Sequence, residues 1–292
     1  MIENLSPKER EARFERFIIA EYLKYGSVDE VFRANKYDLP ISYVGVHRLL
    51  DKWAIVKAAG PNTRLSEALC FLSALSDEKI PLERLYKDMP PSFKTSMATL
   101  HRILTYIRTE TIRRVGTAVI LTSEGNPNLV LVGNDVSTPR LNVGKPFGSI
   151  SLPMGYSKRT ENSQTSILRV LQQEVFTKDA IDRSLNFEEM IGNPKPFMYL
   201  DIADVRVAVF HLALPFSLSD RSRFSSFKIQ MHRYLHISEI SGGKKNFRTG
   251  IREIGIGYRR LLQEPRRNFS LNPLQERSLL NLELALTPAL ER

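Results

Sequence analysis

Gly155 to Glu174 reads GYSKRTENSQTSILRVLQQE, a polar loop running into a helix. Val170, Gln173 and Glu174 are spaced i, i+3, i+4, which places them on one face of that helix. Ser151–Gly155 (SLPMG) reads as the strand and turn that lead into it. Upstream, 115–121 (VGTAVIL) and 129–132 (LVLV) predict two strands joined by a turn at Gly125-Asn126-Pro127. Downstream, 205–214 (VRVAVFHLAL) predicts another strand. A strand pair, a helix and a further strand make an α/β domain, expected over 111–268.

The same stretch resembles the Nudix box: Gly, five residues, Glu, seven residues, then Arg-Glu-apolar-x-Glu-Glu. Gly155, Glu161, Arg169, Leu171 and Glu174 fall in register. Val170 and Gln173 stand where the pattern has glutamates, and Phe176 where it has its last glycine. The resemblance implies a Nudix-like α/β/α sandwich with a mixed sheet. It also implies that Glu161 and Arg169 are scaffold residues tying the loop to the helix. In that family the helix presents carboxylates to divalent cations, which bind a diphosphate and activate water. Hard cations require oxygen ligands. Valine supplies none, glutamine only a neutral one, and Glu174 alone is a poor site. The box remnants Gly155, Glu161, Arg169 and Glu174 therefore lead to the expectation of a chain without enzymatic activity, catalytic residues, metal or cofactor.

At 292 residues with 42% apolar content, the chain is long enough for two or more cores. No run approaches ~18 apolar residues, so no membrane span is expected. The charged N-terminus lacks a signal-peptide core. Cys70 is the single cysteine, which fits a cytoplasmic setting without internal disulfides. The net charge is +10; 1–112 holds a surplus of only +2, so the remainder follows it. A basic surplus of this kind suits a polyanionic partner.

Residues 1–110 contain an ungapped internal repeat at an offset of 54. Val46-His47-Arg48-Leu49-Leu50 aligns with Leu100-His101-Arg102-Ile103-Leu104. Each copy, 1–60 and 61–110, predicts three helices with a tight turn before the third. In the first copy Ser27, with Glu30 in the capping-box position, is expected to cap the second helix, and Ser42 the third. This pattern resembles helix-turn-helix domains, which imply double-stranded DNA as partner. Groove-facing candidates are Ser42, Tyr43, His47 and Arg48 in the first copy, and Lys94, Thr95, Ser96, Thr99, His101 and Arg102 in the second. A final helix is expected in 269–292, from Asn272-Pro273 to about Leu286, with an apolar face suited to its own domain or to a homodimer.

Together these features predict an α+β multidomain chain, a DNA-binding regulator whose Nudix-like domain senses a nucleotide-type ligand or mediates assembly. Arg140 and Lys145 before the box, with Lys158 and Arg159 in its loop, are the candidate ligand contacts. Two alternatives stand beside it. One is an active Nudix hydrolase of nucleoside diphosphate derivatives with metal ligands displaced to Glu188, Glu189 or Asp220. The other is an RNA-binding protein using the basic C-terminal half.

Overall fold

The computed structural model describes residues 6–58, 83, 87, 96–98, 101, 114–140, 144–158, 160–202 and 205–278. The chain opens with three helices, α1 (Pro7–Tyr25), α2 (Val28–Ala34) and α3 (Tyr43–Lys52). Ser6 and Glu9 form a capping box at the start of α1, and Gly26 ends it in the left-handed conformation at φ 73°. Ser27 makes no side-chain cap to α2, contrary to the expectation from Glu30; Glu30 instead pairs with Arg33 on its own helix. Ser42 caps α3 by accepting from the Gly45 amide. Of the second repeat, only Glu83, Lys87, 96–98 and His101 are among the described residues; Ser96 and His101 are exposed there.

A mixed sheet follows, with strand order β3-β2-β1-β6-β5-β8. Its strands are β1 (Arg114–Ser123), β2 (Asn126–Asp135), β3 (Ile150–Ser151), β4 (Met154–Ser157), β5 (Met198–Ile202), β6 (Val205–Leu214), β7 (Ile229–His236) and β8 (Leu274–Arg277). β4 pairs with β1 and β7 with β2. The β1–β6 and β5–β8 pairs are parallel and the others antiparallel. Gly125, at φ 80°, makes the turn between β1 and β2. Gly133 sits at the bulge where β2 meets β7; a Cβ there would lie 2.3 Å from Ile229 Cγ2.

The two faces of the sheet bury separate cores. On one, Val119, Leu121, Leu131 and Phe210 pack against α4 (Ser163–Glu174), α5 (Thr177–Asp182), α6 (Phe187–Ile191) and the N-terminal helices. On the other, Ala118, Ile120, Val130 and Val207 pack against α7 (Ile237–Gly242) and α8 (Ile251–Gln263). This is the helix–sheet–helix layering expected of a Nudix-like domain. Leu274–Arg277, expected as the first turn of a terminal helix, is instead β8. It pairs with β5, and Leu274 is buried with Met198 and Tyr258. An available sheet edge outweighs the local helix signal. Among the described residues no helix is long and apolar enough to cross a membrane.

Candidate functional site

α4 carries the second half of the Gly155–Glu174 stretch. Asn162 caps it by accepting from the Thr165 amide. Arg169, buried on α4, donates through both terminal nitrogens to the two oxygens of Glu161, at 2.5 Å for Nη1–Oε1. Arg169 Nη1 also donates to Tyr156 O at 3.2 Å, so one guanidinium joins β4, the loop and the helix. Its Nε reaches Lys57 O at 2.8 Å. Gln172 donates to Ala54 O and accepts from Val56 N. Arg169 and Gln172 thus dock the N-terminal helical unit onto the box helix.

The last turn of α4 ends in a cluster of charges. Glu174 Oε2 accepts from the Met154 amide at 2.7 Å, and the residue as a whole is half-buried. Burial pushes its pKa up to about 7, against the pull of Lys228. Asp135, at the end of β2, is buried; Oδ1 accepts from the amide and hydroxyl of Ser137. Its Oδ2 faces Lys145 Nζ and Arg248 Nη1, each at 3.4 Å. Lys145, Lys228 and Arg248 all have pKa values lowered first by burial and only then adjusted by their charged neighbours. With Arg140 included, four cations surround two carboxylates. His232 Nε2 lies 2.9 Å from Glu174 O. A carbonyl only accepts, so that ring nitrogen carries the proton. Among the described residues, Gln173 Nε2 and Arg248 Nε are buried donors without a partner.

A cleft with surplus cations and unspent donors is suited to an anion rich in acceptor oxygens. It does not suit the divalent cation that the box resemblance implies. Val170 is sunk in the core, Gln173 Oε1 already accepts from Lys228 Nζ, and Asp135 faces Lys145 and Arg248. Among the described residues no three His, Cys, Asp or Glu side chains converge.

The residues singled out from sequence distribute unevenly. Lys145 is part of the cluster, and Arg140 stacks over Tyr156 beside it at 5.6 Å. Lys158 is exposed, and Arg159 lies outside the described residues. Asp220 is not near Glu174. It caps Ser222 and lines a cavity of about 440 Å³ with Glu124 at the β1–β2 turn. Glu189 is exposed on α6; Lys195, exposed in the loop between α6 and β5, lines a second cavity of about 460 Å³ with His211, Arg266 and Arg267. Neither cavity is lined by Glu174. On α3, Ser42 is spent on its cap and Tyr43 stacks on Phe32 at 4.0 Å, while His47 and Arg48 are exposed. Lys94, Thr95, Thr99 and Arg102 lie outside the described residues. Sequence reasoning did not single out Asp135, Lys228, His232 or Arg248 as site residues. They lie 39 or more positions from Glu174 in the chain, so no spacing announces them.

No protein-family model matches the chain, and comparison with curated proteins gives no match. Solved structures similar to it include a Nudix hydrolase from Nitrosomonas europaea, at 16% identity and a TM-score of 0.36, covering 56% of this chain and 78% of that one. A bifunctional NMN adenylyltransferase/ADP ribose pyrophosphatase from Francisella tularensis is 15% identical at a TM-score of 0.36, covering 76% and 52%. An ADP-ribose pyrophosphatase from Streptococcus suis is 10% identical at a TM-score of 0.35, covering 57% and 99%. The expectation of a chain without enzymatic activity is corrected accordingly: the structures to which it is similar include a Nudix hydrolase and an ADP-ribose pyrophosphatase.

Proposed function

We propose that this chain is a hydrolase of phosphoanhydride bonds in nucleoside diphosphate derivatives, with Glu174 as its proton-accepting group. The observation that carries this reading is the placement of the half-buried Glu174 among the cations Lys145, Lys228 and Arg248. The cations hold the diphosphate and offset the charge that builds on its oxygens. A water attacks one phosphorus, its proton passes to the Glu174 carboxylate, and the anhydride P–O bond breaks. The leaving phosphate keeps the bonding electrons, its charge facing Lys145 and Arg248. A carboxyl group that titrates near neutrality is matched to such a transfer. Turnover of a panel of nucleoside diphosphate derivatives by the full chain tests the reading. Product formation that disappears in Glu174→Gln supports it, and unchanged turnover in that variant refutes it.

A second reading concerns the N-terminal unit. The exposed pair His47 and Arg48 early on α3 favours recognition of double-stranded DNA, since arginine takes guanine through two hydrogen bonds worth ~1–3 kcal/mol. Selection of bound duplexes from a random pool tests it. An enriched motif whose affinity falls in Arg48→Ala is the expected result, and the absence of any enriched sequence refutes it.

A further inference from the structure

We infer that the Lys228 ammonium takes the place of the divalent cation at the end of the box helix, so that the cleft holds a diphosphate group without metal. The inference rests on the hydrolase reading above and deepens it. The box resemblance puts cation-holding carboxylates at 170, 173 and 174. In this chain Gln173 Oε1 instead receives Lys228 Nζ at 2.5 Å. The lysine also fixes which end of the amide is oxygen, because an ammonium only donates. Of the charges around Glu174, Lys228 acts on it most strongly. A positive charge therefore already sits beside Gln173 and acts on Glu174, where the box pattern would place a metal.

The chain builds this arrangement with some precision. The Lys228 backbone is held by its amide on Ser226 Oγ at 2.9 Å and by its carbonyl, which accepts from Val136 N at 2.8 Å. Ser226 Oγ in turn donates to Gln173 O at 2.8 Å. The lysine is thus fixed to both β2's end and α4. Val170 faces Gly155, its Cγ2 3.9 Å from where a glycine Cβ would lie, and seals the third position with hydrocarbon. Magnesium is ordinarily held through one or two carboxylates along with water and phosphate oxygens, and here Asp135 is engaged by Lys145 and Arg248 and Gln173 by Lys228, which leaves Glu174 alone. An ammonium requires only acceptors: one of its protons is taken by Gln173, leaving others for phosphate oxygens. The buried, unpartnered Gln173 Nε2, on the side chain that holds the lysine, is a further donor beside it.

Isothermal titration calorimetry of the full chain with inorganic pyrophosphate, in EDTA and in excess magnesium, tests the inference. Binding in EDTA at least as tight as in magnesium is expected. So is a loss of about tenfold or more in Lys228→Met, the scale of one hydrogen bond to a charged group. Magnesium alone is expected to show no saturable binding. Pyrophosphate binding that requires magnesium, or a Lys228→Met variant that binds within threefold of the parent, overturns the lysine's role while leaving the hydrolase reading standing. Should Lys228→Met fail to fold, the two buffers on the parent protein decide alone. Absence of pyrophosphate binding in both buffers overturns this inference and the hydrolase reading together.

Discussion

Replacing Glu174 by glutamine separates a working carboxylate from a structural one. Burial raises the Glu174 pKa from its ordinary 4.5 to about 7, so the folded state holds this proton more tightly than the unfolded state does. A group of this kind contributes stability that is full below about pH 4.5 and is lost as pH rises to about 7. At about 1.4 kcal/mol per pK unit, and with solvent contact of the half-buried residue screening part of it, the loss is about 2–3 kcal/mol. Glutamine keeps the acceptor for the Met154 amide but never carries the charge, so Glu174→Gln should be more stable than the parent at pH 8 by about that amount. His211 gives a second slope of opposite sign. Burial lowers its pKa from 6.5 to about 4, so its stability is present above pH 6.5 and lost as pH falls toward 4. In the parent the two slopes oppose each other between pH 4.5 and 6.5. In Glu174→Gln the slope of the buried histidines remains, His211 with His232, whose pKa burial also lowers, so its stability should fall on acidification through that range. Urea denaturation at a series of pH values measures both effects, and turnover should drop by about 10²–10⁴ in the same variant. A protein made more stable and inactive has not lost function by unfolding. A variant less stable than the parent at pH 8, or one with an unchanged pH profile, refutes the assignment of Glu174 as the raised group.

Arg169→Ala leaves Glu161 buried without its bidentate partner and should cost about 3–5 kcal/mol in chemical denaturation. Gln172→Ala strips the Val56 amide of its acceptor, so hydrogen exchange across 54–58 should quicken while the sheet amides stay protected; the loss is about 1–3 kcal/mol. Gly250→Ala puts a Cβ 2.4 Å from Ile202 Cδ1 at φ 92°, and should lower the melting temperature through a strain of about 1–3 kcal/mol or more.

What the sequence disclosed follows from the range of the interactions concerned. The strands at 115–121 and 205–214 announce themselves by apolar runs, and β6 occupies Val205–Leu214 as read. Glycine marks the β1–β2 turn and the end of α1 because both backbones need positive φ. The start of the expected final helix is a strand because Asn272-Pro273 followed by leucine is an equally good entry to one, and only β5, more than 70 positions upstream, decides between them; 279–292 lie outside the described residues. The charge cluster was illegible for the same reason. Asp135, Lys145, Lys228 and Arg248 come from β2, two loops and the approach to β7, and only sheet pairing brings them to the end of α4.

That assembly also changes the meaning of the two departures in the box. Taken along the helix alone, Val170 and Gln173 are missing ligands. In the fold each has a counterpart: Val170 meets the bare backbone of Gly155, and Gln173 meets an ammonium. A glutamate at 173 would bring a second anionic charge beside the already raised Glu174, and would hold Lys228 in a closed ion pair, leaving it less able to bind substrate oxygens. Neutral glutamine orients the lysine without cancelling its charge. The departure at 173 and the lysine at 228 therefore act as one arrangement, and Gln173→Glu should weaken pyrophosphate binding even though it restores a residue that the box pattern calls for.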